Sequence, residues 1–219
     1  MIYTDFSKAF DSVNHEVLVA LLQSSGFGDP LLSWFESFLV HRPQWVKLFG
    51  EKLDIFMATS GVPQGGHLLP MLFSLFVNNT KSVLQHCRLL CFTDDMKLFV
   101  KINSLDDCLL LQSDLDRFVK WGETLGLALN IGKCRSMSFT RGRSPIVFTY
   151  TMNKVELLSV ERIRDLGFIF MPSLFPCSLI DNITYKAFKL LGFIRRIASE
   201  FKFETSLKSL YCALVRPIL

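Results

Sequence analysis

Ligand sets for zinc are missing from this chain. It has four histidines, none spaced with a cysteine as a zinc site would need, and its six cysteines (Cys87, Cys91, Cys108, Cys134, Cys177, Cys212) contain no C-x-x-C pair. A zinc ribbon or finger is therefore excluded as the organising element. In a 25.1 kDa chain that is 50% apolar, six cysteines read as buried reduced thiols and not as a disulfide framework. No apolar run approaches the ~18 residues of a membrane span, since Ser74 breaks even the stretch from Leu68 to Val77. The opening MIYTD has neither the basic nor the apolar region of a signal peptide, so an intracellular protein with no membrane partner is expected. Internal repeats and low-complexity tracts are absent too, and the one linker-like break is the Pro-bearing stretch from Met171 to Ser178. What the chain has in plenty is phenylalanine, 21 residues of it, which is rich for a free-standing domain and points to surfaces that meet other domains. Its 219 residues suffice for one domain, or one and a half, with an ample core.

Charge is distributed unevenly. Residues 1–100 carry seven Lys/Arg against nine Asp/Glu, whereas residues 101–219 carry seventeen against eleven. The positive groups concentrate in Lys133, Arg135, Arg141 and Arg143, and again in Lys186, Lys189, Arg195 and Arg196. One such cluster is as easily a solvated face as a binding site. Two clusters beside an acidic centre fit a nucleic-acid backbone held by phosphate contacts, with Arg135, Lys186 and Lys189 as contacts.

The acidic centre is the pair Asp94–Asp95 within LLCFTDDMKLFV, where apolar runs on both sides read as strands joined by a tight turn. Asp5 closes another apolar strand start, MIYTD. An Asp-Asp turn alone is usually structural, because Asp hydrogen-bonds its own backbone and tolerates turn geometry. Three carboxylates brought to neighbouring strand ends are costly unless cations neutralise them, and hard oxygen donors in low number suit Mg²⁺. That is the layout of a two-metal phosphoryl-transfer site. A strand this near the first residue frays unless neighbouring structure ties it down.

Local signals give a coarse map. Asn14 caps a helix through Ser25 with Gly26 as its stop, and Asp29–Pro30 starts a second helix to about Val40. Gln44 to Ala58 reads as a hairpin around Gly50, Glu51 and Lys52. Pro70 opens a buried helix to about Gln85, and Ser104 with Asp107 forms a capping box for a helix ending near Gly126. Strands are expected at 127–129, 135–140, 146–152 and 166–170, then a helix over 183–201 with apolar residues at helical spacing. The sum is an α+β fold, helices on an antiparallel sheet followed by a helical appendix.

Five motifs run in order: DFSKAFD from Asp5, SGVPQGGHLLPMLF from Ser60, FTDD from Phe92, LNIGKC from Leu129 and RDLG from Arg164, with LKSLYCALVRPIL at the end. This series resembles the palm motifs of reverse transcriptases of non-LTR retrotransposons, over essentially the whole chain. The resemblance implies a palm over residues 1–170 and the start of a helical thumb over 171–219. It implies an RNA-directed DNA polymerase with two Mg²⁺ ions, or Mn²⁺ in their place, acting on an RNA template, a DNA primer and a dNTP. Asp5 and Asp94 become the metal-bridging carboxylates, Asp95 supports the second metal and the Phe6 carbonyl adds a ligand. Phe10 is the ring against the incoming sugar, Gln64 touches the nucleotide, and Gly65 allows close approach to the new base pair. Lys133 matches the lysine near the triphosphate, and Leu166 with Gly167 match the primer-gripping hairpin. The chain departs from the pattern with Gly66 in place of Ser, Leu69 in place of Gly and Thr93 in place of Ala. The family's fingers lie upstream of its first aspartate, and only four residues precede Asp5. The fingers and endonuclease regions of a parent polyprotein are thus expected partners, and the chain alone is expected to be poorly active. The rival reading is a remnant that at most binds nucleic acid through its basic half. Another palm enzyme, such as a nucleotide cyclase, would not need the Pro63–Gly65 loop or the Lys133 motif.

Overall fold

The computed structural model describes residues 1–40, 42–63, 65–140, 142, 145–198 and 204–218. They gather into two compact units, Met1–Ser138 with Ser144–Ser159, and Phe139–Arg143 with Val160–Leu219.

In the first unit, β1 (Ile2–Thr4) is buried at all three residues. The Asn14 side chain accepts the Val17 N–H and starts α1 (His15–Ser24), which buries Leu18 and Leu22 as its apolar spacing requires. α2 (Leu31–Leu39) begins after Pro30, while Asp29 accepts a hydrogen bond from the Ser33 hydroxyl at 2.6 Å. Two small ladders follow: β2 (Arg42–Gln44) with β5 (Phe56–Ala58), and between them β3 (Lys47–Leu48) with β4 (Glu51–Lys52). Phe49 and Gly50 both take positive φ, as a two-residue hairpin turn demands, so the turn falls slightly earlier than the sequence reading had it.

The helix expected from Pro70 to Gln85 is two helices, α3 (Leu69–Phe76) and α4 (Thr80–Val83). Asn78 and Asn79 lie at the break, and Asn side chains compete with helical backbone bonding. β6 (Arg88–Phe92) and β7 (Asp95–Phe99) form the acidic hairpin, and α5 (Leu105–Thr124) carries the full capping box of Ser104 and Asp107. Shorter strands complete the unit: β8 (Arg135–Ser136), β9 (Thr151–Met152) paired with β10 (Val155–Glu156), and β11 (Leu158–Ser159).

The main sheet has the order β11-β8-β1-β7-β6, antiparallel except for the β11–β8 pair. β1 is therefore the middle strand, hydrogen-bonded on both sides, and the fraying expected of it from sequence does not apply. Its Ile2 meets Leu98, Phe73, Phe76, Leu111, Leu115 and Phe118 in one buried cluster. Each such side chain contributes about 1.5–3 kcal/mol by leaving water.

The second unit holds the hairpin β12 (Ile163–Asp165) and β13 (Phe168–Phe170), the long helix α6 (Cys177–Ile197) and α7 (Glu204–Leu210). Leu166 and Gly167, expected to open a strand, are its turn, both at positive φ. α6 starts directly after Pro176, six residues before its expected start, and buries Ala187 and Ile194 against Val215. The whole has the α+β layering expected. Among the described residues no helix is long and apolar enough to cross a membrane.

Candidate active site

Strand register brings the carboxylates to one end of the sheet. β1 pairs antiparallel with β7 as Ile2↔Leu98, Tyr3↔Lys97 and Thr4↔Met96, so the next residue out, Asp5, is level with Asp95. The Thr4 hydroxyl adds a buried bond to the Met96 carbonyl at 2.9 Å, fixing the strand end just before Asp5. On the other side, the Asp5 carbonyl accepts the Asn130 N–H at 2.8 Å, and the Ser7 N–H reaches the Ala128 carbonyl at the same distance. These bonds flank an antiparallel bridge between Phe6 and Leu129 that leaves the Phe6 carbonyl uninvolved. The Phe6 ring is buried 5.9 Å from that of Phe118.

Asp94 occupies the two-residue turn Thr93–Asp94, closed by the pair Phe92↔Asp95. Thr93 has φ +54°, in the left-handed region where a β-branched residue is strained. Its Oγ1 lies 3.0 Å from Asp94 Oδ1 and 2.7 Å from the Phe92 carbonyl, while the Cys91 thiol donates to the Thr93 carbonyl at 3.3 Å. Burial first, and then the Asp94 charge, push the Cys91 thiol above its ordinary pKa.

Lys133 ends the turn that follows the bridge, and its Nζ lies 3.6 Å from Asp5 Oδ2. The Asp5 side chain is 37% exposed and that of Lys133 68%, so both can be reached from solvent. Arg135 folds back instead, its guanidinium donating to the Gly132 and Cys134 carbonyls at 2.6 and 2.7 Å. Among the described residues, no three His, Cys, Asp or Glu side chains gather tightly enough to form a metal cage.

The glycine loop is tied to the segment after Asp5. Gly61 N–H donates to Val13 at 2.8 Å, Val62 N–H to Phe10 at 3.0 Å, and the Ser60 hydroxyl to Asp11 at 2.9 Å. His15 Nε2 lies 2.7 Å from the Gly61 carbonyl; a carbonyl only accepts, so Nε2 carries the proton. A Cβ on Gly61 would meet the Asp11 Cα at 2.8 Å and its carbonyl oxygen at 2.9 Å, and Gly61 also has φ +81°. Gly65 has φ +85°, yet a Cβ there would meet no protein atom within 4 Å. The glycine that lets two backbones touch is thus Gly61. Phe10 packs its ring 4.7 Å from Phe73 at the margin of the core. Leu69, at the family's glycine position, packs half-buried against the same core. Gln64, Arg141 and Arg143 lie outside the described residues.

Leu166, Gly167, Lys186 and Lys189 belong to the second unit, where Lys186, Lys189, Arg195 and Arg196 are all exposed along α6.

One residue behind the hairpin escaped the sequence reading. Asp114 on α5 is fully buried and accepts the backbone N–H groups of Gln85, His86 and Cys87, the last two at 2.7 Å, with Arg117 Nη1 at 2.7 Å. Burial would raise its pKa, but the Cys87, His86 and Gln85 bonds together outweigh it and hold the carboxyl below the usual range. The available signal was its position, three residues after Leu111 and four before Phe118, which puts a carboxylate on the apolar stripe of α5.

Comparison with known proteins gives the family and the fold. The family described as reverse transcriptase (RNA-dependent DNA polymerase) matches residues 1–194. The RNA-directed DNA polymerase from mobile element jockey of Drosophila melanogaster is 30% identical over 145 residues, 63% of this chain and 16% of that protein. The retrovirus-related Pol polyprotein from type-1 retrotransposable element R2 of Popillia japonica is 25% identical over 146 residues, 61% of this chain and 23% of its own length. The chain therefore spans roughly a sixth to a quarter of the curated relatives it matches. In fold it resembles apo telomerase from Candida tropicalis truncated from its C-terminal domain, with TM-score 0.55 and 15% identity, covering 80% of this chain and 34% of that one. The telomerase of the same species in complex with a fragment of telomeric RNA gives TM-score 0.51 at 14% identity, covering 99% of this chain and 37% of that one. A polymerase palm carrying the ordered motifs of mobile-element polymerases accounts for fold and sequence together, and the chain belongs to the reverse transcriptase (RNA-dependent DNA polymerase) family, in its non-LTR retrotransposon branch.

Proposed function

We propose that this chain is the palm of an RNA-directed DNA polymerase, that Asp5, Asp94 and Asp95 form its catalytic centre, and that residues 171–219 begin its thumb. The observation that carries the proposal is the register of β1 on β7, which puts Asp5 level with Asp95 and beside the Asp94 turn. Carboxylates at neighbouring strand ends favour a divalent counter-ion, and hard oxygen donors in low number suit Mg²⁺. The Lys133 ammonium beside Asp5 supports this, because it already supplies one positive charge where a divalent ion would supply two.

The donor set suits Mg²⁺ or Mn²⁺: hard carboxylate oxygens from Asp5, Asp94 and Asp95, with the Phe6 carbonyl as a further oxygen. Two ions held there would lower the pKa of the primer 3′-hydroxyl and neutralise charge on the phosphate and pyrophosphate. The remaining work belongs to the chain. Lys133, 68% exposed and attached to Asp5 by a single ion pair, turns to the triphosphate and donates a proton to the departing pyrophosphate. Phe10, held against Phe73 and bonded through its carbonyl to Val62, presents its ring to the sugar and leaves no volume for a 2′-hydroxyl, so the product is DNA. By the family resemblance Gln64 and Gly65, which come after Val62 and Pro63 in the sequence, contact the nucleotide and the new base pair. In the second unit, the Leu166–Gly167 turn grips the primer, and Lys186 and Lys189 bind backbone phosphates of the primer–template duplex. Fingers and endonuclease regions of a larger polyprotein complete the assembly.

Primer extension on an RNA template with Mg²⁺ and dNTPs tests the proposal, with Asp94→Asn as control. Extension that this variant abolishes supports it, and extension that survives the substitution refutes the assignment. The exposed cations of α6 favour one second reading, a binding module without catalysis. Salt-sensitive duplex binding with no extension, even after a fingers segment is supplied, would select it.

A further inference from the structure

The turn that carries Asp94 holds a side chain with no part in the mechanism above. Thr93 is strained at φ +54°, and its Oγ1 sits within hydrogen-bonding distance of two acceptors, Phe92 O at 2.7 Å and Asp94 Oδ1 at 3.0 Å. One hydroxyl has one proton. If the proton goes to Phe92, an oxygen lone pair faces an ionised carboxylate oxygen 3.0 Å away. If it goes to Asp94, the bond is charge-assisted, and the lone pair faces only a neutral carbonyl. The charged partner therefore takes the proton whenever Asp94 is ionised. Meanwhile the Cys91 thiol donates to the Thr93 carbonyl, so the peptide between Thr93 and Asp94 is held as well as the side chain.

We infer that Thr93 is a positioning residue: its hydroxyl fixes the orientation of the Asp94 carboxylate through Oδ1 and leaves Oδ2 for a divalent cation. This rests on the metal-binding reading of Asp94 given above. The strained backbone fits such a role, because strain of this kind persists where the surrounding structure over-determines it. Partners that hold a ligating carboxylate or imidazole in place typically contribute 10- to 100-fold to metal affinity.

The test is a Mn²⁺ titration of the whole chain, read as the loss of the free-ion electron paramagnetic resonance signal, on wild type, Thr93→Val, Thr93→Ser and Asp94→Asn. Valine keeps the shape and the branched Cβ without the hydroxyl, and serine keeps the hydroxyl alone. The expected result is about a 10-fold weaker Kd for Thr93→Val, a Kd within about 3-fold of wild type for Thr93→Ser, and an unchanged melting midpoint in both. If Thr93→Val does not fold, Thr93→Ala, which is less strained at positive φ, takes its place. Valine binding as tightly as wild type while Asp94→Asn binds far more weakly overturns the role of Thr93 and leaves the metal reading standing. Equal weakening in Val and Ser also overturns it, since the branch and not the hydroxyl would then matter. Wild-type affinity in Asp94→Asn overturns the metal reading itself.

Discussion

Replacing Asp114 by Asn alters few atoms and removes one charge, and it exchanges an acceptor-only group for one that also carries two donor hydrogens. The native carboxylate faces three backbone N–H groups, from Gln85, His86 and Cys87, and the Arg117 guanidinium. An asparagine oxygen can serve at most two of the three N–H groups, so one N–H is left facing an NH₂. Each bond that survives falls from the charged range to the neutral one, a loss of about 1 kcal/mol, and an orphaned buried donor costs about 1–3 kcal/mol. The ion pair with Arg117, a side chain 35% exposed, contributes at most about 1 kcal/mol. The expected loss is about 3–5 kcal/mol against a usual domain stability of about 5–15 kcal/mol. In urea melts of the first unit this is a midpoint lower by about 1.5–2.5 M for a slope near 2 kcal/mol per M. The effect should depend on pH with a definite sign. Asp114 has a depressed native pKa, so its contribution is complete above the ordinary aspartate value near 3.8 and is lost as pH falls through the native value. The gap between wild type and Asp114→Asn should accordingly close on acidification below pH 4. A midpoint shift under about 0.5 M at pH 7, or a gap that widens in acid, would refute the reasoning.

Three further outcomes follow from the geometry. Gly61→Ala places a Cβ 2.8 Å from the Asp11 backbone at φ +81°, so it should cost about 2–4 kcal/mol, read as a lowered melting temperature; an unchanged melting temperature would show that the two loops part easily. Lys133→Gln should change stability by less than about 1 kcal/mol, because the ion pair is exposed, while slowing primer extension about 100-fold if Lys133 is the proton donor. Burial, and then Asp114, push the Cys87 thiol to about 12, so iodoacetamide at pH 8 should leave Cys87 unmodified in mass spectra of the folded chain.

The parts legible in sequence were those set by near neighbours. The Asn14 cap, the Ser104–Asp107 capping box and the acidic hairpin stand where local rules put them, because each depends on residues within a few positions. Missed features depend on contacts distant in sequence or on conformations their residues disfavour. Leu166 looked like the start of a strand because bulky residues rarely take φ +46°, and Thr93 gave no hint of its left-handed backbone. The stretch 135–140 looked like a full strand but its ladder covers Arg135 and Ser136, with Met137 bonded to Met1 just beyond, since pairing needs a partner that periodicity cannot reveal. The need for glycine at Gly61 went unremarked, because the contact with Asp11 that singles it out joins loops 50 residues apart. Asp114 passed unnoticed because a single acidic residue in an amphipathic helix is ordinary until its burial is known.

The central place of β1 has a consequence in time. Tyr3 must find Lys97 on one side and Arg135 on the other before the sheet that presents Asp5 exists. Such non-local pairings form slowly, because long loops have to close before any contact rewards them. At a synthesis rate of about 5–20 residues per second, a strand-forming Ile-Tyr-Thr segment leaves the ribosome roughly 7–26 seconds before the last of its partners. Until β7 emerges it has two open edges, and until β8 emerges it still has one, each a template for pairing with another chain. The strand that ends in the middle of the sheet, tied on both sides, is until then a segment open to aggregation.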